Sequence, residues 1–180
     1  HRTATEAFGG RTINTDGLLE PLELFGPPSI SAWRLCWNLF ATACRMQQLI
    51  DSETLATYAE MIDAYAKDFG SDCWALIYQV EARTRLEHTK QILRRGQDEK
   101  DLAIRHGHVH PFDSTKPWQW VFDELVGRGE GEWWRRELEY KCFLVNTRVK
   151  ALAEYVEGDQ PISGAAPRPP PAPAATPSRR

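Results

Sequence analysis

Residues 132–157 read EWWRRELEYKCFLVNTRVKALAEYVE, and this stretch carries the most regular apolar pattern in the chain. Its apolar positions are separated by four, three, four, three and four residues: Leu138, Cys142, Val145, Val149, Leu152 and Val156. Such a seam follows one face of an α-helix. The pattern predicts a long last helix, either packed inside a helical bundle, which we favour, or paired with a second copy in a coiled coil.

Two helices with recognisable ends are predicted upstream of this segment. The first has Ser29 or Ser31 as its N-cap and runs to about Ile50. It is apolar on most sides, so we expect it to lie centrally, covered by other helices. The second starts after Asp51 or Ser52 and ends at Gly70. Its own seam consists of Leu55, Ala59, Ile62, Ala66 and Phe69.

Two further helices complete a set of about five. A third begins at Ser71 or Asp72, forms an antiparallel hairpin with the second, and ends near Gly96. A charged connector (97–105) and a loop (106–116) follow, and a short fourth helix starts at Pro117, where a missing N–H is harmless. The sequence shows no convincing strand, so the predicted fold class is all-α, a bundle of about five helices.

The two ends of the chain differ from this domain, which spans residues 29–158. Residues 1–28 are predicted to be an irregular lead-in, with an apolar cluster that could dock on the core as an extended arm or a short helix. Residues 159–180 form a tail rich in proline, alanine and arginine, which is predicted to be disordered. Because the chain begins at His1 and stops inside the tail, we expect it to be part of a larger polypeptide.

Composition excludes several function classes. A net charge of -3 rules out a strong polyelectrolyte, so nucleic-acid binding would have to come from local patches. Polar residues interrupt the most apolar stretch, Ile30 to Ile50, which is therefore a core helix and no membrane span. Four cysteines without a CxxC pair suggest reduced thiols and an intracellular location, cytoplasmic or nuclear. Neither a catalytic motif nor a cofactor-binding motif is found, so a non-enzyme without cofactor is expected.

Basic residues gather on the later part of the third helix. Arg83, Lys90, Arg94 and Arg95 lie there, and Arg168 lies in the tail. They could contact the phosphates of RNA or DNA without reading base sequence. Basic residues near a helix C-terminus also favour its dipole and form ordinary ion pairs, so a purely structural role is the alternative.

The seven tryptophans divide into core and surface candidates. Trp33, Trp37 and Trp74 occupy apolar positions of the predicted helices and are expected in the core. The adjacent pairs Trp118 with Trp120 and Trp133 with Trp134 cannot all face one way. One of each pair should meet solvent or a partner, and Trp120 and Trp133 are the candidates for partner binding.

Two short motifs suggest specific ligands. His106, His108 and His110 alternate and could converge on a metal ion such as zinc if they lay on a strand, whereas in the predicted loop they would be solvated. The segment 167–170 matches PxxP, so the tail either binds a proline-recognition domain or is a linker.

The run Cys73–His88, read CWALIYQVEARTRLEH, together with Pro117-Trp118 and Trp133-Trp134, resembles predicted reading frames of unicellular algae, some of which lie beside retroelement polyproteins. The resemblance implies a gag-like helical module for assembly or nucleic-acid packaging. The gag zinc knuckle is absent from this sequence. The leading prediction is thus a non-enzymatic assembly or interaction module that self-associates or binds RNA or DNA. The alternative is a metal-binding module or metal-dependent enzyme that uses the histidine loop.

Overall fold

The computed structural model describes residues 7–127 and 130–158, and most of them are helical. The helices are α1 (Ile30–Met46), α2 (Ser52–Phe69), α3 (Trp74–Arg83), α4 (Thr89–Arg105), α5 (Pro117–Val126), α6 (Gly131–Trp134) and α7 (Tyr140–Gly158). Two strands, β1 (Ala7–Ile13) and β2 (Leu19–Phe25), form an antiparallel hairpin. The predominance of helix is confirmed, whereas the prediction of an all-α chain without strands is wrong.

The hairpin replaces the predicted irregular lead-in. Its turn is held by Asn14, whose side-chain oxygen accepts hydrogen bonds from the backbone N–H groups of Asp16 and Leu18 at 3.0 and 2.9 Å. Gly17 takes a positive φ of 76° in this turn. The strands were not predicted because the glycines in β1 and Pro21 in β2 are poor strand formers.

Gly10 allows β1 to lie directly on α3. A Cβ atom built at Gly10 would come within 2.1 Å of the Cβ of Ala75. Only glycine fits between the two elements at this point. The half-buried Phe8, Ile13, Leu19 and Leu22 complete the docking of the hairpin on the core.

Three predicted helix ends are confirmed. Ser29 caps α1, because its hydroxyl accepts a hydrogen bond from the N–H of Ala32 at 3.3 Å. Gly70 ends α2 with a φ of 79°. Pro117 occupies the first turn of α5. Local chemistry at these positions was therefore sufficient to set the helix boundaries.

The third predicted helix is longer than expected and contains a π-helical turn, Thr84–His88, between α3 and α4. It does not end near Gly96 but continues to Arg105. A Cβ at Gly96 would approach both Phe112 and Trp120 to 2.7 Å, so this glycine serves close packing within the helix. A second π-helical turn, Arg135–Glu139, joins α6 to α7.

The core is built around stacked aromatic rings. Trp37 lies 5.4 Å from Trp33 and 4.8 Å from Tyr58 between ring centroids, and Tyr58 meets Phe122 edge-on at 5.4 Å. Helix α2 packs against α1, α3, α5 and α7, and α4 packs against α5. The predicted core positions of Trp33, Trp37 and Trp74 are confirmed by their burial.

The seams are covered to different extents. In α2, Leu55, Ala59 and Ile62 are buried. In the last helix, Leu138, Cys142 and Val145 are buried, but Leu152 is exposed. Val149 is half-buried against the core, so packing inside the domain accounts for the seam as far as Val149. The side chain of Val156 and the predicted disordered tail, 159–180, lie outside the described residues.

Within residues 7–127 and 130–158, no helix combines the length and apolar character needed to cross a membrane.

Candidate functional site

Helix α1 carries an apolar ridge on the face turned away from the core. Its large side chains, Leu35, Leu39 and Met46, are 69, 76 and 77% exposed. These residues, which we call the α1 ridge, contradict the expectation that α1 lies centrally and is covered by other helices.

The α1 ridge has heptad spacing. Leu35, Leu39, Thr42 and Met46 are separated by four, three and four residues. Thr42 does not interrupt the ridge with an unpaired polar group, because its hydroxyl donates to the backbone oxygen of Asn38 at 2.8 Å. This is the pattern with which two helices pack knobs into holes. Unlike the seam of α2 and the first part of the seam of α7, it has no covering element among the described residues.

A groove follows one side of α1, where the helix faces the π-helical turn Thr84–His88. It contains a cavity of about 270 Å³ beside Phe40, Cys44, Leu86, Trp118 and Phe122. A second cavity of about 200 Å³ lies toward the hairpin. Phe40 and Arg85 line both cavities and therefore lie between them.

Below the groove, Arg85 forms a bidentate ion pair with the buried Glu81. Nε of Arg85 donates to Oε1 of Glu81 at 2.5 Å, and Nη2 donates to Oε2 at 2.8 Å. The hydroxyl of Tyr58 is buried without a hydrogen-bond partner among the described residues. Burial, followed by the charge of Glu81, raises the pKa of Tyr58 well above its usual value.

The predicted basic patch is largely neutralised by carboxylates. Arg83 pairs with Glu137 at 3.4 Å, and Arg95 pairs with Glu130 at 2.7 Å. Lys90 and Arg94 are exposed and form no ion pair with any residue that the structure describes. Arg168 lies outside the described residues. Of the five basic residues predicted to contact phosphates, Lys90 and Arg94 on α4 are therefore the two that are exposed and form no ion pair with a described residue.

Arg95 belongs to a buried polar cluster that the sequence did not indicate. Nε2 of His88 lies 2.5 Å from Oε2 of Glu130, and both side chains are nearly inaccessible to solvent. Burial alone would raise the pKa of Glu130, but hydrogen bonds from Arg95 and His88, together with their charges, lower it overall. Because the charged groups of this cluster bind one another, we interpret it as a structural clamp.

The two tryptophans predicted to bind partners are both partly engaged inside the molecule. Trp133 stacks on His88 and donates its indole N–H to Thr84 at 3.2 Å. Trp120 packs edge-on against Phe112, and its indole nitrogen is buried. Trp118 is the more exposed member of its pair and lines the groove. The assignment of Trp120 as the outward residue of that pair is therefore wrong.

The histidine loop does not assemble a metal site. Among described residues, no group of three or more His, Cys, Asp and Glu side chains is placed to bind a metal ion. His106 caps the end of α4, whereas His110 lies 3.5 Å from Glu99 and packs against Trp120. His108 is exposed in the loop between them. The loop runs without a strand, so the three imidazoles do not share a face.

The four cysteines are free thiols. Cys73 and Cys142 are fully buried, and Sγ of Cys73 lies 3.4 Å from the side-chain oxygen of Asn146. A hydrogen bond with Cys73 and burial raise the pKa of Cys142. Cys44, Cys73 and Cys142 are packed in the core, whereas Cys36 is exposed, so the expectation of packed cysteines is wrong for Cys36.

Comparisons of the chain with protein-family profiles, with characterised proteins and with solved structures find no match.

Proposed function

We propose that the chain is a non-enzymatic helical-bundle module that assembles with a second copy of itself through the α1 ridge. One observation supports this proposal above all: a heptad seam of large apolar side chains is exposed along α1. Exposed apolar surface of this kind is unusual on a monomer and typically serves association. The gag-like resemblance of the sequence is compatible with an assembly role.

A second copy of the chain is a suitable partner, because the ridge is complementary to itself. If two α1 helices cross between Leu39 and Thr42 in antiparallel orientation, Leu35 of each copy faces Met46 of the other. Leu39 of each copy then faces the small Thr42. This alternation of large and small side chains across the interface allows close packing about a two-fold axis.

Charged side chains stand beside the ridge and not on it. Arg45 and Arg34 lie on the same flank of α1, and Arg34 is paired with Asp63. Because the proposed contact is mainly apolar, its strength should not fall as the salt concentration rises.

Sedimentation equilibrium over a range of protein concentrations tests the proposal. The wild-type chain should show a mass that rises with concentration, with weak affinity because one helix pair buries less than a standard interface of about 1,600 Å². Leu39→Glu should remain monomeric at the same concentrations. Leu102→Glu, at another exposed leucine on α4, is the matched control and should associate like wild type.

Two results would contradict this assignment. If the wild-type chain stays monomeric at every concentration, a second copy is not the partner of the ridge. Association that survives Leu39→Glu but is lost in Leu102→Glu would place the interface on α4 instead. Circular dichroism of each variant separates loss of association from loss of folding.

Non-specific contact with the backbone of RNA or DNA is a second candidate function. The specific observation in its favour is that Lys90 and Arg94, one helical turn apart on α4, are both exposed. Two such side chains supply little of the affinity expected of a packaging protein. Within the described residues, nucleic-acid contact would therefore accompany self-assembly and not replace it.

A further inference from the structure

The larger cavity of the groove has the character of a small-molecule site. Its volume of about 270 Å³ lies just below the range typical of ligand pockets, about 300 to 1,000 Å³. Aromatic rings from two helices line it, Phe40 from α1 and Trp118 and Phe122 from α5, and Leu86 adds an aliphatic side chain from the π-helical turn. This shape and lining fit a flat apolar molecule of about two fused rings.

Polar groups in the lining are few and mostly satisfied. The hydroxyl of Thr89 donates to the backbone oxygen of Arg85 at 2.8 Å. The single charged residue that lines the cavity is Arg85. Its Nε and Nη2 bind Glu81, so the Nη1 edge of the guanidinium is left to bind an acceptor.

The ion pair with Glu81 determines which acceptor fits. Glu81 is 1% exposed and holds its carboxylate directly behind the guanidinium. A ligand carboxylate would therefore meet a neutral pair with a second negative charge close behind it, and would lose its hydration in an apolar cavity. An uncharged carbonyl oxygen accepts the same hydrogen bond without that cost.

We propose that the cavity beside Phe40, Trp118 and Arg85 is a binding site for an uncharged aromatic ligand with one carbonyl-type acceptor directed at Arg85. This site is separate from the α1 ridge and does not require self-association. The two proposals therefore stand or fall independently.

Three probes of the same ring system test the chemistry of the site: 2-acetylnaphthalene, 2-naphthoate and naphthalene. Binding is followed by calorimetric titration and by the shift of the Trp118 indole N–H signal in ¹H–¹⁵N spectra. The ketone should bind about tenfold more tightly than naphthalene, the worth of one hydrogen bond to a charged donor. The carboxylate should bind more weakly than the ketone. If 2-naphthoate binds as tightly as the ketone, or if no probe shifts the Trp118 signal, the proposal is overturned.

Matched leucine variants locate the site. Leu86 lines the cavity, whereas Leu35 lies on the α1 ridge, and the two are 67 and 69% exposed. Leu86→Ala should weaken binding of the ketone about fivefold, because it removes apolar contact at the wall. Leu35→Ala should bind the ketone like wild type while weakening self-association. Equal effects of the two variants on ketone binding would contradict the location.

A double variant tests the role of Arg85 without leaving a buried charge unpaired. Replacing the ion pair by Glu81→Met together with Arg85→Met should keep the affinity for naphthalene and abolish the preference for the ketone. A preference that persists in a folded double variant would overturn the assignment of Arg85. If the double variant does not fold, the comparison of the three probes and the leucine variants still decides the proposal.

Discussion

The imidazole of His88 lies flat on the indole of Trp133, with ring centroids 3.8 Å apart and planes 5° apart. Nε2 of the same imidazole contacts Glu130, which also binds Arg95. This cluster joins the end of one π-helical turn to the segment that precedes the other. It fixes Glu130 against the helix that carries His88.

Glu130→Gln should reduce stability by about 2 kcal/mol near neutral pH, because it removes the charge from a buried, hydrogen-bonded network. Since the pKa of Glu130 is lowered from 4.5 in the folded state, its stabilising effect is complete above that value and is lost as the pH falls through the folded pKa. Urea unfolding of wild type and variant across the acid range measures this difference. The exposed Glu132 provides the control Glu132→Gln, which should change little. A difference that grows toward acid pH would contradict the sign.

Tyr58→Phe should not destabilise the chain, whereas Tyr65→Phe should. The Tyr58 hydroxyl is buried and unpaired, so its removal should be neutral or stabilise the fold by up to about 1 kcal/mol. The Tyr65 hydroxyl donates to Glu139 at 3.2 Å, so its removal should cost about 1 kcal/mol. Thermal and urea unfolding of the two variants provide the measurement. A larger loss for Tyr58→Phe than for Tyr65→Phe would show that Tyr58 has a partner in solution.

Gly10→Ala should destabilise the chain by about 2 kcal/mol, because its Cβ would collide with that of Ala75 and neither atom can rotate away. Gly9→Ala is the matched control, since a Cβ there meets no atom within 4 Å. Hydrogen exchange should show faster opening of the hairpin amides in Gly10→Ala alone. Equal exchange in the two variants would mean that β1 does not pack on α3 as described.

Charge reversal of Lys90 and Arg94 tests the nucleic-acid component. If these two side chains make the contacts, the slope of log affinity against log salt should be no steeper than about -2 for duplex DNA. The double variant Lys90→Glu with Arg94→Glu should then remove measurable binding, while sedimentation remains that of wild type. Fluorescence anisotropy with a labelled duplex gives both quantities. A steeper slope that the double variant leaves intact would place the contacts elsewhere in the chain.

Local sequence features predicted the helices well, because caps and breakers act over a few residues. Ser29, Gly70 and Pro117 each marked a true boundary. Gly96 misled the prediction, since its role is to admit Phe112 and Trp120 from another part of the chain. The hairpin was missed for a related reason: Gly10 looked like a loop residue although it is required for contact with α3.

The candidate sites depended on information that periodicity does not contain. Both faces of α1 are apolar, and nothing in the sequence distinguishes the face that contains Trp37 from the one that contains Leu39. His88 and Glu130 are 42 positions apart and have no shared motif. The basic residues were correctly noticed, but ion pairing of Arg83 and Arg95 became visible only once their acidic neighbours were located.

In the π-helical turn Thr84–His88 the number of residues matters as well as their identity. A π-helical turn holds about one residue more than the α-helical turn it replaces, and each residue rotates an α-helix by about 100°. The turn thus sets the rotation of α4 about its own axis relative to α3. A one-residue deletion there would rotate His88 and Arg95 together, away from Glu130. Evolutionary drift in this chain should therefore proceed by substitution, with insertions and deletions excluded from residues 84–88.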